Sequence, residues 1–225
     1  MRFIRVTAEQ HGERIVAVDD EENTVGRIEV FPGHDPRGAV FHLAAIEVRE
    51  DRRGRGVGTA LLKEAARAMG RVHRLVFDVS PLLTPDASLF ITRFGARYRW
   101  LEGSRTPDGR PWPECSCELD FANPLERPPD MREGEAAEIS VLDWDGPRPI
   151  PRRGVSYRGL HSVLLPPMDR EVLDRAVAGV PSIPETMTEV LSALHRHGYG
   201  FIWFDRTVYG GRPFHYYLMR NRMAL

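Results

Sequence analysis

The sequence predicts an α/β protein of the α+β kind: a mixed, mostly antiparallel sheet flanked by helices, followed by a smaller α+β C-terminal region. Three observations predict it. Short apolar runs rich in β-branched residues alternate with turn residues through residues 1–121. Few segments in that stretch carry helical periodicity. A run rich in Pro and charge then occupies 122–136, and the pattern beyond it is different.

Taken in order, Met1–Thr7 alternates as a strand should. Arg14–Val18 and Thr24–Phe31 read as a hairpin around the polar turn Asp19–Asn23, and Pro32–Gly38 as a loop. Ala39–Val48 is almost wholly apolar, which predicts a central strand buried on both faces. A charged run, Arg49–Arg53, leads into glycines, after which Val57, Ala60, Leu61, Ala65, Ala68 and Met69 form one helical stripe closed by Gly70. Arg74–Val79 is a further strand, and Pro85–Phe94 a short helix stopped by Gly95. Arg97–Leu101 and Cys115–Phe121 read as a strand pair around a polar loop. In the C-terminal region, Asp169–Ala178 and Pro184–His197 read as helices. Tyr199–Thr207 and Arg212–Met219 read as a hairpin turning at Tyr209-Gly210-Gly211. The expected organisation is a domain over 1–121, a linker over 122–136 and a second region over 137–225.

Composition narrows the function. The 225 residues are 42% apolar and 28% charged, so a packed core is expected. Lys and Arg number 31 against 32 Asp and Glu, which supplies no basic excess for a nucleic-acid partner. No apolar run reaches about 18 residues, so no membrane span is expected. The N-terminus lacks the uninterrupted apolar stretch of a signal peptide, which reads as a cytoplasmic protein. Cys115 and Cys117 would share one face of a strand; two ligands make no zinc site, so no metal is expected and the thiols read as reduced and structural.

The informative segment runs from Phe41 to Leu62: strand, cationic turn, glycines, helix. A helix N-terminus leaves main-chain N–H groups unpaired and carries partial positive charge. Glycines let phosphate oxygens approach because no Cβ intervenes. The P-loop pattern needs Lys-Ser or Lys-Thr, which the chain lacks. The dinucleotide pattern fails at its sixth position, which is Thr59 counted from Gly54 and Leu61 counted from Gly56. Asp78, about 20 residues on, is the one feature in that reading's favour. The pattern that fits is R/Q-x-x-G-x-G/A, present as Arg53-Gly54-Arg55-Gly56-Val57-Gly58 after a strand ending Leu43-Ala44-Ala45-Ile46-Glu47-Val48.

This motif, with the following helix, strand, helix and Arg93-Phe94-Gly95-Ala96, resembles the coenzyme A site of the GCN5-related N-acetyltransferase (GNAT) superfamily over residues 2–121. The resemblance implies that main-chain N–H groups of Arg53, Gly54, Arg55, Gly56, Val57 and Gly58, with Thr59, bind the pyrophosphate of coenzyme A or acetyl-CoA. It implies that the main chain of Ile46 and Val48, flanking Glu47, pairs with the pantetheine arm. The activity it implies is acyl transfer to a small-molecule amine by direct attack on the thioester. It leaves a homodimer open.

Amine attack requires a deprotonated nucleophile, so a base is expected within reach. His42 stands where many superfamily members carry a carboxylate, and its intrinsic pKa near 6.5 suits the task; it also reads as a hydrogen-bonded core histidine. Glu47, of opposite strand parity, is the other candidate, and by alternation only one of the two should face the acceptor. The superfamily often places a Tyr general acid four residues before the glycine matched by Gly95, but Ile91 stands there. Tyr98, a water or solvent could supply that proton instead. The helix pair that usually follows the first strand is also missing, since Thr7–Arg14 leaves room only for a turn. These departures keep a second reading open, a catalytically silent coenzyme A-binding protein. The C-terminal region reads either as a wall of the acceptor site or as a separate small domain.

Overall fold

In the computed structural model, residues 1–7, 12–81, 88–126, 142–145, 148–151, 163–165, 183–209 and 212–221 are described. Seven strands form one sheet in the order β1-β2-β3-β4-β5-β7-β6. They are β1 (Arg2–Thr7), β2 (Glu13–Val18), β3 (Thr24–Asp35), β4 (Gly38–Val48), β5 (Arg74–Val79), β6 (Arg97–Leu101) and β7 (Glu114–Asp120). The first four form an antiparallel meander, and β4 to β5 is a parallel step across helix α1 (Val57–Ala68). The described residues group into two compact units that interleave along the chain: Met1–Phe77 with Glu118–Pro124, and Asp78–Cys117 with Leu125–Leu225.

In the first unit the alternation places Ile15, Ala17, Ile28 and Val30 on one sheet face, where they are buried together with Val57, Leu61, Leu62 and Ala65 of α1. Each fully buried Val, Leu or Ile among them contributes about 1.5–3 kcal/mol. Gly26 lies beneath the first turn of α1: a Cβ there would meet the Glu47 carbonyl at 2.8 Å and Val57 and Leu61 at 3.1 Å. The helix ends at Gly70, whose φ of 63° is the left-handed closing conformation expected of it.

Two expectations need correction here. Pro32–Gly38 is not a loop: β3 runs on through Asp35 and β4 starts at Gly38, so only Pro36 and Arg37 turn. Pro36 presets the turn, the Asp35 carboxylate accepts the Arg37 N–H at 2.8 Å, and Gly38 closes it at φ 114°. Pro32 and Gly33 are read as turn formers in isolation, yet both fit an extended strand. Nor is β4 buried on both faces; only Val40 is fully buried. Its parallel pairing with β5 is confined to Phe41–Leu75 and His42–Val76, so residues 43–48 lack ladder partners on that edge among the described residues.

The second unit is built on aromatic packing. A π-helical turn occupies Ser88–Arg93, inside the helix expected over 85–94, of which 85–87 lie outside the described residues. Helix α2 (Ile183–Arg196) buries Met187, Val190, Leu191 and Leu194, a spacing of one helical face, and Gly198 follows it at φ 81°. Strands β10 (Val163–Leu165), β12 (Arg212–Asn221) and β11 (Tyr199–Tyr209) form a small sheet, matching the predicted hairpin. Strands β8 (Leu142–Asp145) and β9 (Arg148–Pro151) pair separately. Tyr98 packs among Phe201 and Tyr217, with centroid distances of 6.2 and 6.3 Å. Cys115 and Cys117 are thiols outside any disulfide among the described residues, fully buried on β7. The expected helix over 169–178 and most of the 122–136 linker lie outside the described residues. No helix among the described residues is long and apolar enough to cross a membrane.

Candidate cofactor and acyl-transfer site

The segment after β4 leaves a strand end, makes a 3₁₀ turn at Glu50–Arg52, and enters α1 through two glycines. Gly54 and Gly56 both take the left-handed conformation, at φ 72° and 82°, which a residue with a Cβ adopts only under strain. A Cβ at either would meet nothing within 4 Å, so the space above the loop is open. The first helical bond is donated by the Ala60 N–H to the Gly56 carbonyl at 3.0 Å. The N–H groups of Val57, Gly58 and Thr59 are therefore the free donors of the helix start. No side chain caps them.

Charge around the loop is divided. Arg49 grips Asp51 in two bonds of 2.7 and 3.0 Å, and Arg52 donates to Asp19 at 3.2 Å. Arg53 is spent differently: its Nε donates to the Val48 carbonyl at 3.2 Å, tying the loop to the end of β4. Neither Arg53 nor Arg55 has a carboxylate partner among the described residues. Two exposed arginines, three free N–H groups and the positive end of the helix dipole thus lie within one short stretch of chain, with open space above its glycines. Open space where a Cβ would stand, beside unpaired donors, fits a diphosphate. Residues 46–48, which precede this loop, run along an edge of β4 that has no ladder partner among the described residues.

The strand carrying His42 and Glu47 contains a device that alternation alone misses. Glu29 pairs with Ala45 but Val30 pairs with Leu43, so Ala44 is an extra residue, a β-bulge. The bulge cancels the parity difference between His42 and Glu47. His42 opposes Phe31 and Glu47 opposes Arg27, two residues on the same face of β3, so both candidates stand on the face away from α1. The expectation that at most one could face that side is corrected.

The two differ in their surroundings. Glu47 is held by Arg27 in a bidentate pair of 2.9 and 3.0 Å, and that hydrogen-bonded guanidinium keeps its carboxyl below the usual carboxylate range. Arg27 also lies 3.8 Å from Glu29, which accepts from Arg14 at 2.6 Å, so an ion-pair ladder crosses three strands. His42 is exposed, and its ring lies over Gly33: a Cβ on Gly33 would come within 2.5 Å of Nε2. Neither Arg27 nor Gly33 was signalled by the sequence, because the pairing that brings them to Glu47 and His42 depends on the bulge and on the extended hairpin.

Tyr98 is placed in the second unit, 4% exposed. Burial, then the neighbouring Cys117 thiol, pushes its pKa well above the ordinary phenol value. Ile91 is also buried and has no proton to give.

The geometry defines a class, and comparison bears it out: residues 2–96 match the acetyltransferase (GNAT) family model. Residues 2–96 thus carry a GNAT acetyltransferase domain, a match that covers less than half of the chain. Among solved structures, an acetyltransferase of the GNAT family from Staphylococcus aureus Mu50 is similar at 17% identity, covering 49% of this chain and 68% of that one, with a TM-score of 0.37. Nourseothricin acetyltransferase is similar at 23% identity, with coverage of 48% and 64% and a TM-score of 0.39. Arabidopsis thaliana NAA60 in complex with acetyl-CoA is similar at 17% identity, with coverage of 50% and 77% and a TM-score of 0.41. A search of curated proteins returned no match.

Proposed function

We propose that this chain is an acyl-CoA-dependent N-acyltransferase, with acetyl-CoA as donor and a small-molecule amine as acceptor. The observation that carries the reading is the loop itself: two left-handed glycines with open space above them, followed by three free helix N–H groups, with Arg53 and Arg55 lacking a carboxylate partner among the described residues. Charge-assisted hydrogen bonds there contribute on the order of 1.5–3 kcal/mol each. Acetyl-CoA supplies an activated acyl carbonyl when bound.

The chain's own residues do the rest. Val57, Gly58 and Thr59 N–H groups, with Arg53 and Arg55, hold the diphosphate. The main chain at Ile46 and Val48 aligns the pantetheine arm, and the N–H near Val48 polarises the acyl oxygen. His42, exposed on its face, takes the proton from the acceptor amine. Glu47, neutralised by Arg27, is a weak base at neutral pH and forms part of the wall. Buried Tyr98 is a core residue, and solvent protonates the departing thiolate.

The test is to incubate the protein with acetyl-CoA and an amine panel while following free thiol. Turnover that falls at least a hundredfold in His42→Ala, with coenzyme A affinity unchanged, supports the assignment. An unchanged rate removes His42 as base. The buried Ile91, where a proton donor is usual, favours the second reading of a catalytically silent coenzyme A binder. Binding by calorimetry with no thiol release on any amine is its signature.

A further inference from the structure

The β2–β3 turn lies outside the motif, yet one of its side chains is wired to it. Asp19 is largely buried, its side chain 17% exposed, and its two oxygens have separate partners. Oδ1 accepts the N–H of Glu21 at 3.1 Å and of Asn23 at 3.0 Å, which shapes the turn. Oδ2 accepts from Arg52 at 3.2 Å and lies 4.0 Å from Arg49. Arg49 and Arg52 bracket the 3₁₀ turn that delivers Arg53 and Gly54. The same stretch is tied to β3 through the Arg49 N–H, which donates to the Val25 carbonyl at 2.9 Å.

We infer that Asp19 is a positioning residue for coenzyme A: its Oδ2 clamps Arg52 and Arg49, and through them fixes the direction of the glycine loop and its free N–H groups. The inference rests on the acyl-CoA reading of that loop. It makes a prediction opposite to simple electrostatics. Asp19 places a negative charge near an anion site, so removing it should tighten binding of an anion if charge were all that mattered. If the clamp matters, removing it weakens binding.

Asp19→Asn isolates the clamp, because the amide oxygen still accepts the Glu21 and Asn23 N–H groups while the other position turns from acceptor to donor against Arg52. Two measurements are made on the full chain. Amide hydrogen exchange without ligand should quicken at 50–56 in Asp19→Asn and stay unchanged in β2 and α1. Calorimetry with coenzyme A should show affinity lowered roughly tenfold, the scale of one lost charge-assisted bond, with kcat at saturating acetyl-CoA within about twofold of the parent. Arg52→Gln should behave alike, and the double variant should be no worse than either single, as partners in one interaction require. Unchanged exchange, or coenzyme A bound as tightly or more tightly by Asp19→Asn, overturns the clamp. A parent protein that binds no coenzyme A, with faster loop exchange in the variant, overturns the cofactor reading while leaving the mechanical role of Asp19 standing.

Discussion

Substituting Gly56 by Ala separates a loop glycine kept for turn geometry from one kept for a ligand. At φ 82° an L-residue bears strain of roughly 1–2 kcal/mol. Nothing lies within 4 Å of the added Cβ, so no clash adds to that figure. The stability loss in urea unfolding should therefore stay near 1–2 kcal/mol, equivalent to a few degrees in Tm for a chain of this length. Coenzyme A affinity should fall further. The methyl group would occupy the approach to the Val57–Thr59 N–H groups, and losing one or two such contacts at about 1.5–3 kcal/mol each weakens Kd at least tenfold. Gly38→Ala is the control, since Gly38 also has positive φ and open surroundings but closes the β3–β4 turn. It should lower stability and leave affinity alone. Calorimetry and urea titration on the same preparations check both. Should Gly56→Ala lose stability while binding coenzyme A like the parent, the glycine serves the turn only and the phosphate cradle is wrong.

Gly33→Ala should displace the His42 ring, because the new Cβ would come within 2.5 Å of Nε2; turnover should drop tenfold or more, read by thiol release, with coenzyme A affinity kept. Arg74→Met should cost about 1–3 kcal/mol at neutral pH, since Arg74 serves both Asp35 and Glu118. Hydrogen bonding to Arg74 holds the Asp35 carboxyl below the usual range; burial pushes Glu118 up, but Arg37 and Arg74 together pull it below. Folded pKa values below the unfolded ones give stability that is complete above about pH 4 and lost as pH falls. The gap between variant and parent in urea titrations should accordingly narrow below pH 4, and a constant gap would contradict the assignment. Glu22→Gly should stabilise by about 0.5–1 kcal/mol, since Glu22 is a non-glycine residue at φ 63° and its contact with Arg2 is exposed.

Most of the first unit was legible because its signals are local. Strand alternation over β1, β2 and the first part of β3, the stripe of α1 and its closing Gly70, and the pairing of Arg53–Gly58 with a helix start each depend on neighbours in sequence. The misreadings share one cause: they concern pairing between distant segments. Pro32-Gly33 looks like a turn until its partner strand and the ring of His42 are known. The apolar run of β4 looks doubly buried until β5 is seen to pair with it at two residues only. The relation of His42 to Glu47 was inverted because nothing in Leu43-Ala44-Ala45 announces that Ala44 is surplus to the ladder. Arg27 and Asp19, the partners of Glu47 and Arg52, are ordinary surface residues until the register brings them across.

The extra residue at Ala44 works like a half-twist in a ribbon. Downstream, the strand keeps Ile46 and Val48 toward the helix layer; upstream, it presents Val40 and His42 to the opposite side. Deleting this one alanine would restore a regular ladder with the same partners, and His42 and Glu47, then four residues apart, would keep their common face. What would be lost is the local kink and added twist that a surplus residue gives the strand. Ala44 is therefore a position where the length of β4 can change without moving any paired residue to the other face.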